Sequence, residues 1–230
     1  MREIFHGELT RLGTDLAGMC ALVRSTMERA TRALVETDLH LAEEVITDGD
    51  EIRDRGRQCA DHAGAMLALQ APVARDLRTV VTGIQAAEKI ERMGDLARHV
   101  AEIVRLRHPE PSVPPELLGR FAEMGRLASA AARAVEDAIA APDDLHSSAQ
   151  ERADDDTDRL QRELLDAVSQ HEPPYPVRVG VDVALLARFY ERFADQAVSI
   201  TRRLDYVVTG SMPERGSAEE RDEPSREATG

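Results

Sequence analysis

The chain has 230 residues, which is enough for one large domain or two small ones, and it is rich in Ala and Leu and lacks Trp, a composition typical of an all-helical protein. Its 43 acidic residues outnumber 29 Lys plus Arg, and the formal net charge is −14. Because nucleic-acid binding needs a basic surface, we expect no nucleic-acid partner. No signal-peptide core or membrane-length apolar run is present, so we expect a soluble, cytoplasmic protein.

Three helices are predicted in the first half of the chain. Apolar residues recur every three or four positions over residues 6–36, which predicts a long helix with one buried face. Thr37 and Asp38 interrupt this pattern and can cap a second helix over residues 39–69. Pro72 follows that helix, and we expect it in the first turn of a third helix over residues 72–106.

Three more helices are predicted in the second half. Four prolines mark residues 109–115 as a linker, and helical patterns follow over residues 115–140, 144–170 and 178–208. The expected organisation is a three-helix repeat at 1–108, the linker at 109–115, a second three-helix repeat at 116–209 and a disordered acidic tail at 210–230. The predicted fold is therefore all-α, with two tandem three-helix bundles related by internal duplication.

A short acidic motif occurs once in the third predicted helix of each half. Residues 91–95 read Glu-Arg-Met-Gly-Asp and residues 191–195 read Glu-Arg-Phe-Ala-Asp, one hundred positions apart. In each copy the two acids, Glu91 with Asp95 and Glu191 with Asp195, are four residues apart and share one helix face, where they repel each other by a few tenths of a kcal/mol. Apolar residues flank both copies, so the motif predicts a positive partner for each pair.

Further acids extend these two clusters. Glu88 continues the first stripe, Asp50 and its acidic neighbours on the second helix can face it, and Asp154 and Asp158 begin the fifth helix. Oxygen-rich pockets of this kind suit a hard cation such as magnesium, manganese or iron, or zinc. The alternative is an ion-pair network in which Arg92 and Arg192 neutralise the acids without metal, and either arginine can also serve to bind a partner protein.

No catalytic constellation is visible in the sequence. There is no Gly-rich phosphate loop, no nucleophile elbow and no Cys-x-x-Cys motif, and Cys20 and Cys59 lie in apolar helical patterns typical of buried free thiols. A metal-binding carboxylate bundle with a storage or redox role is the alternative function, but the Glu-x-x-His pairs of di-iron bundles are missing. We therefore expect a protein that is not an enzyme.

Two stretches resemble a known family. Residues 70–78 read Gln-Ala-Pro-Val-Ala-Arg-Asp-Leu-Arg and lead to the motif at 91–95, while residues 185–195 contain its second copy. This pattern resembles the PhoU family of phosphate-signalling regulators. The resemblance implies a negative regulator of the phosphate-starvation response that couples the ATPase subunit of a phosphate-specific ABC transporter to a sensor histidine kinase, reaches the membrane only through these partners, forms homodimers and carries acidic metal motifs.

The second half matches the family pattern better than the first. Asp154 and Asp158 have the expected acid spacing, although Gln196 stands where a histidine often follows the motif. In the second helix, Gly49 and Arg53 replace the expected acid and its polar partner. The resemblance therefore favours a metal site in the second half over one in the first.

Overall fold

A computed structural model describes residues 2–142, 144–169 and 175–211 of the chain, and within them it contains α-helices but no β-strand. The six long helices are α1 (Arg2–Glu36), α2 (Leu39–Gln70), α3 (Ala74–Arg107), α4 (Leu118–Ala140), α5 (Ser147–Val168) and α6 (Val177–Thr209), with a 3-10 turn at Pro115–Leu117 before α4. The predicted all-α fold with three helices in each half is confirmed. The predicted acidic tail beyond Ser211 lies outside the described residues.

The connection between α2 and α3 differs from the prediction. Ala71 adopts a left-handed conformation with φ of 44° and ends α2, and Val73 is extended with φ of −126°. Pro72 therefore lies in the turn between the helices, and the prediction that it begins the third helix was wrong. The chain has to reverse direction here, and the reversal uses the residues up to Val73 before α3 can start.

The two halves share one hydrophobic core. Helices α1, α2 and α3 pack together, as do α4, α5 and α6, and the two groups join through contacts of α1 with α4 and of α3 with α6. Apolar side chains from both halves belong to a single buried cluster. Helices α2 and α5 each pack against the two other helices of their own half, so they form the flanks of the molecule.

Helices α3 and α6 run antiparallel along the join between the halves. Side-chain contacts connect the start of α3 to the end of α6 and the end of α3 to the start of α6: Arg78 with Val207 O, Gln85 with Arg203, Lys89 with Gln196, and Arg107 with Asp182. Because the contact of Lys89 lies near the middle of both helices, the two acidic motifs are close to the centre of the join.

A small residue allows α1 and α4 to approach closely. A Cβ atom built on Gly125 of α4 would lie 2.4 Å from Cγ2 of Thr31 on α1. The Thr31 hydroxyl in turn lies 2.9 Å from the hydroxyl of Tyr190 on α6, and both residues are buried. Gly125 therefore permits a contact among three helices from the two halves.

The start of α5 is capped by a residue distant in sequence. The carboxylate of Asp205, on α6, accepts hydrogen bonds from the backbone N–H groups of His146 at 2.9 Å and Ser147 at 3.0 Å. No capping bond from the side chain of His146 itself accompanies them. The N–H groups in the first turn of α5 have no acceptor within their own helix. They are hydrogen-bonded by Asp205 only when α5 packs against α6.

Exposed apolar side chains form one stripe at the start of α3 and another at the start of α6. Val73, Leu77 and Val81 make up the α3 stripe, and Val177, Val181 and Leu185 make up the α6 stripe. Spacing of four places Leu77 with Val81, and Val177 with Val181 and Leu185, on one helix face each, and Val73 immediately precedes α3. Since α3 and α6 are antiparallel, the stripes lie at opposite ends of the molecule.

Two further expectations concern the cysteines and the membrane. Cys20 and Cys59 are buried free thiols, as predicted, and burial raises the pKa of Cys20 to about 12. None of the helices in the described part of the chain is both long and apolar enough to cross a bilayer.

Candidate functional site

The first acidic motif is paired with an arginine from a neighbouring helix. Glu91 and Asp95 project from α3, and Arg53 reaches them from α2 with its Nε 4.0 Å from Glu91 Oε1 and its Nη2 3.5 Å from Asp95 Oδ1. Nη1 of the same guanidinium donates to Asp50 Oδ1 at 2.8 Å. Arg98, one turn after the motif, lies 3.7 Å from Asp95 Oδ1. The first cluster is therefore an ion-pair network between two helices.

The other acids predicted near this motif do not gather around it. Glu88 is exposed, and the Asp50 side chain is 82% exposed although it contacts Arg53. The remaining acids of α2 pair with arginines away from the motif: Asp48 with Arg29, Glu51 with Arg55, and Asp54 with Arg57. The predicted stripe on α2 is thus divided among separate ion pairs.

The second acidic motif has a different electrostatic environment. Glu191 is 7% exposed on α6, and Asp195 lies one turn further along the same helix. Their arginine partners come from α6 itself: Arg188 Nη1 lies 2.7 Å from Glu191 Oε2, and Arg192 Nη1 lies 3.2 Å from Asp195 Oδ2. Both arginines are about half exposed.

Helix α5 contributes two more acids to this second cluster. Burial raises the pKa of Asp154 to about 7, and the negative charges of Asp158, Asp195 and Glu191 add to that effect. Burial and the neighbouring Asp195 likewise raise the pKa of Glu191 to about 7 and outweigh the opposing charge of Arg188. The pKa of Asp158 is also raised, first by burial and then by Asp195. Four carboxyl groups from two helices therefore interact unfavourably.

Two oxygens in the second cluster are buried without a hydrogen bond. They are Oδ1 of Asp154 and Oε2 of Glu191, and the nearby Arg188 does not have the orientation of a hydrogen-bond donor to the latter. Asp154 Oδ1 therefore loses its hydration without a compensating hydrogen bond, whereas Glu191 Oε2 still has the positive charge of Arg188 at 2.7 Å. The arginines of this cluster lie on α6 with the motif itself, and among the described residues no arginine of α5 pairs with Glu191 or Asp195 in the way that Arg53 of α2 pairs with the first motif.

The two clusters differ in how well they suit a metal ion. Across residues 2–142, 144–169 and 175–211, no three His, Cys, Asp or Glu side chains converge closely enough to hold one as they stand. By chemistry, the four oxygen donors of the second cluster fit a hard cation, and two of them have unpartnered buried atoms. The first cluster does not fit, because the guanidinium of Arg53 already lies between its carboxylates.

A PhoU domain family model matches the chain twice, at residues 16–104 and 121–204. The chain belongs to the PhoU family. Each matched range contains one acidic motif and all or most of three helices. The internal duplication predicted from the repeated motif is therefore that of the PhoU repeat.

Relatives match over nearly the whole chain. A protein of Mycobacterium leprae named phosphate-specific transport system accessory protein PhoU homolog 1 is 44% identical over 214 residues, which cover 93% of this chain and 96% of the relative. PhoU homolog 2 of Mycobacterium tuberculosis is also 44% identical, over 93% of this chain and 100% of the relative.

Solved PhoU structures have the same fold. The phosphate transport system regulatory protein PhoU from Streptococcus pneumoniae superposes with a TM-score of 0.81 at 25% identity and covers 92% of this chain and 100% of its own. PhoU from Pseudomonas aeruginosa gives a TM-score of 0.81 at 26% identity, covering 90% and 100%.

Within this PhoU protein, the arginines of the two motifs occupy exposed positions. Arg92 is exposed on α3, and Arg192 is exposed and paired with Asp195. The arginine that contacts both acids of the first motif is instead Arg53, on another helix. The sequence pointed to Arg53 only because an arginine stands there in place of the polar residue of the family pattern. Helix periodicity could not predict which acids Arg53 would contact.

Proposed function

We propose that this PhoU protein is a negative regulator of the phosphate-starvation response. It acts without catalysis, as an adaptor that couples the ATPase subunit of a phosphate-specific ABC transporter to a sensor histidine kinase and so modulates phosphate uptake. The proposal is carried by the match of both repeats to PhoU and by the full-length similarity to accessory proteins of the phosphate-specific transport system. Such an adaptor works by binding one kinase state more tightly, which needs only a few kcal/mol.

The exposed apolar stripes supply surfaces for this docking. Val73 is 74% exposed and Val177 is 81% exposed, and each begins a run of three exposed apolar residues spaced four apart. Apolar contacts at these stripes would supply most of the affinity, while charged residues beside them would steer association.

The second acidic cluster is the proposed cation site. Asp154 and Asp158 from α5 with Glu191 and Asp195 from α6 would hold a divalent cation or iron, whose charge offsets the repulsion among the four carboxylates. The cation would have to draw these side chains together. Binding would then tie α5 to α6 and stiffen the second half of the adaptor.

The regulatory role predicts a phenotype for the second motif. Glu191→Ala combined with Asp195→Ala should derepress phosphate-starvation genes in phosphate-rich cells, because the pair organises the charged surface of α6. Expression of a reporter gene measures the effect, and circular dichroism checks that the variant is folded. The matched control is Asp156→Asn, an exposed acid of α5, which should preserve repression. Normal repression with the folded double variant would contradict this role for the motif.

Docking through the stripes predicts which proteins are captured. Tagged chain from phosphate-rich cells should recover the kinase and the transporter ATPase, and Val181→Asp should reduce that recovery at least several-fold because a charge in the α6 stripe must be desolvated on docking. Leu145→Asp is the control, since Leu145 is an exposed apolar residue outside both stripes. Recovery of neither partner with the unmodified chain would count against the adaptor proposal.

A further inference from the structure

The guanidinium of Arg53 takes the place in the first cluster that a cation would take in the second. It contacts acids at three positions, Asp50 on its own helix and Glu91 and Asp95 on α3. The arginines paired with the second motif differ from it, because Arg188 and Arg192 belong to the same helix as their acids and are more exposed. Of these three arginines, only Arg53 lies on a different helix from the motif it contacts, so that it links α2 to α3.

Close helix packing holds this arrangement in place. A Cβ atom on Gly56 of α2 would lie 2.8 Å from Glu91 Oε2, so the carboxylate of Glu91 rests against the backbone of α2. A Cβ atom on Gly49 would lie 3.1 Å from Cδ of Arg98, which leans over the other end of the cluster. Ile52 of α2 packs against Gly94 within the motif, and the side chains of Arg53 and Arg98 lie beside it.

The hydrogen bonding of the acidic side chains also differs between the two clusters. In the second cluster, Asp154 and Glu191 each have a buried oxygen without a hydrogen bond. Neither Glu91 nor Asp95 has such an atom among the described residues, because both are about one-quarter to one-third exposed and lie beside Arg53. A positive ligand in the second half would meet the unpartnered Asp154 beside a motif whose arginines are half exposed on α6, whereas in the first half it would have to displace Arg53 from between two helices.

We infer that Arg53 is a built-in cation that makes the first acidic motif independent of metal, so that any metal response of this protein comes from the second half alone. The comparison with the second half rests on the proposed function, whereas the role of Arg53 can be tested without it. The two repeats then share one fold and one motif but differ in function: Arg53 offsets part of the unfavourable environment of the first, where burial and Asp95 still raise the pKa of Glu91, and the second is available to a cation.

The test uses the full chain with the second cluster disabled. In an Asp154→Asn, Glu191→Gln background, Mn²⁺ should not change the melting temperature relative to EDTA. Adding Arg53→Ala should lower the melting temperature in EDTA and create a Mn²⁺-dependent recovery of several degrees, with about one bound Mn per chain by elemental analysis. Arg55→Ala is the matched control, because Arg55 is on the same helix but pairs with Glu51 instead of the motif.

Additional variants keep the test decisive if Arg53→Ala does not fold. Arg53→Gln keeps most of the side-chain volume and should show the same gain of a Mn²⁺ response. Combining Arg53→Ala with Glu91→Gln and Asp95→Asn should abolish both the EDTA instability and the recovery, because no acids remain to be neutralised.

Two results would overturn the inference. The first is a folded Arg53 variant that shows no Mn²⁺ response. The second is Mn²⁺ binding in the Asp154→Asn, Glu191→Gln background while Arg53 is still present, if that binding disappears when Glu91→Gln and Asp95→Asn are added. Failure of the proposed second site looks different: the unmodified protein would show no Mn²⁺ response while the Arg53 variants still gain one.

Discussion

A carboxylate that loses its hydration needs either a cation or a proton, and the two motifs of this protein use different solutions. Glu91 and Asp95 share the guanidinium of Arg53, which opposes but does not cancel the rise in the pKa of Glu91 caused by burial and Asp95. In the second cluster burial and mutual repulsion raise the pKa of Asp154 and of Glu191 to about 7. Near neutral pH the second cluster therefore holds protons that the same residues lose in the unfolded chain.

This difference predicts how stability depends on pH. The unfolded values are 3.8 for Asp154 and 4.5 for Glu191, so between about pH 4.5 and 7 the folded state binds more protons than the unfolded state. The free energy of unfolding must then fall as the pH rises through this window. The unmodified chain should therefore lose several kcal/mol of stability between pH 5 and pH 8. Asp154→Asn with Glu191→Gln removes both titrations and should abolish most of that loss.

Urea unfolding in EDTA at pH 5 to 8 measures this effect. Asp156→Asn changes an exposed acid on the same helix and should leave the pH profile unaltered. Equal slopes for the unmodified and doubly substituted proteins would show that the four carboxylates do not interact as described.

The sequence predicted the motif residues but only part of their surroundings. Spacing of four placed Glu91 with Asp95 and Glu191 with Asp195 on shared faces, because helix geometry alone decides that. Which residues of α2 face the motif depends on how the two helices are rotated against each other. That rotation is set by Gly56 and the packing around it, so the contacts of Arg53 could not be predicted.

At the level of helices, boundaries were predictable where one residue determines them. Asp38 caps α2 as expected, with its side chain accepting from Leu41 N at 3.0 Å. The start of α5 is different, because its cap comes from Asp205, and the contact requires the tertiary fold. The start of α3 was missed for a similar reason, since the left-handed Ala71 has no signature in the sequence.

The cap of α5 can be tested by substitution. Asp205→Ala leaves the N–H groups of His146 and Ser147 without acceptors and should cost about 2 kcal/mol in the free energy of unfolding. Asp205→Asn keeps one side-chain oxygen and should cost about half as much. Chemical denaturation measures both variants, and equal stability of Asp205→Ala and the unmodified protein would refute the capping role.

The close approach of α1 and α4 gives another prediction. Gly125→Ala should destabilise the protein by about 2 kcal/mol, because the added methyl group overlaps Thr31 and separates Thr31 from Tyr190. Gly119→Ala is a matched control on the same helix, where a Cβ atom meets nothing within 4 Å and should stabilise by about 0.5 kcal/mol. Thermal melts of both variants compare the two sites, and a neutral Gly125→Ala would show that the helices can separate without cost.

At the level of the whole molecule, one core joins both repeats, so we expect them to unfold together. All three tyrosines, Tyr175, Tyr190 and Tyr206, lie in the second half, so tyrosine fluorescence reports on that half while far-UV circular dichroism reports on every helix. Coincident transitions by the two signals are the test of a single cooperative unit.

A substitution in the first half makes this test specific. Met93 is fully buried on α3, and Met93→Ala should cost about 3 kcal/mol and lower the midpoint of both signals equally. Gln58→Ala, at an exposed position of α2, should move neither. A tyrosine transition that stays unchanged in the Met93 variant would mean that the repeats unfold separately.

The placement of the two apolar stripes has a consequence for stoichiometry. Each stripe begins one of two antiparallel helices, and the 34 residues of α3 span about 50 Å, so a protein seated at one end leaves the other end accessible. A single chain could therefore carry two different clients at once. Two proteins bound to the same chain would have an effective concentration toward each other that depends on the distance between the stripes and not on their abundance in the cell.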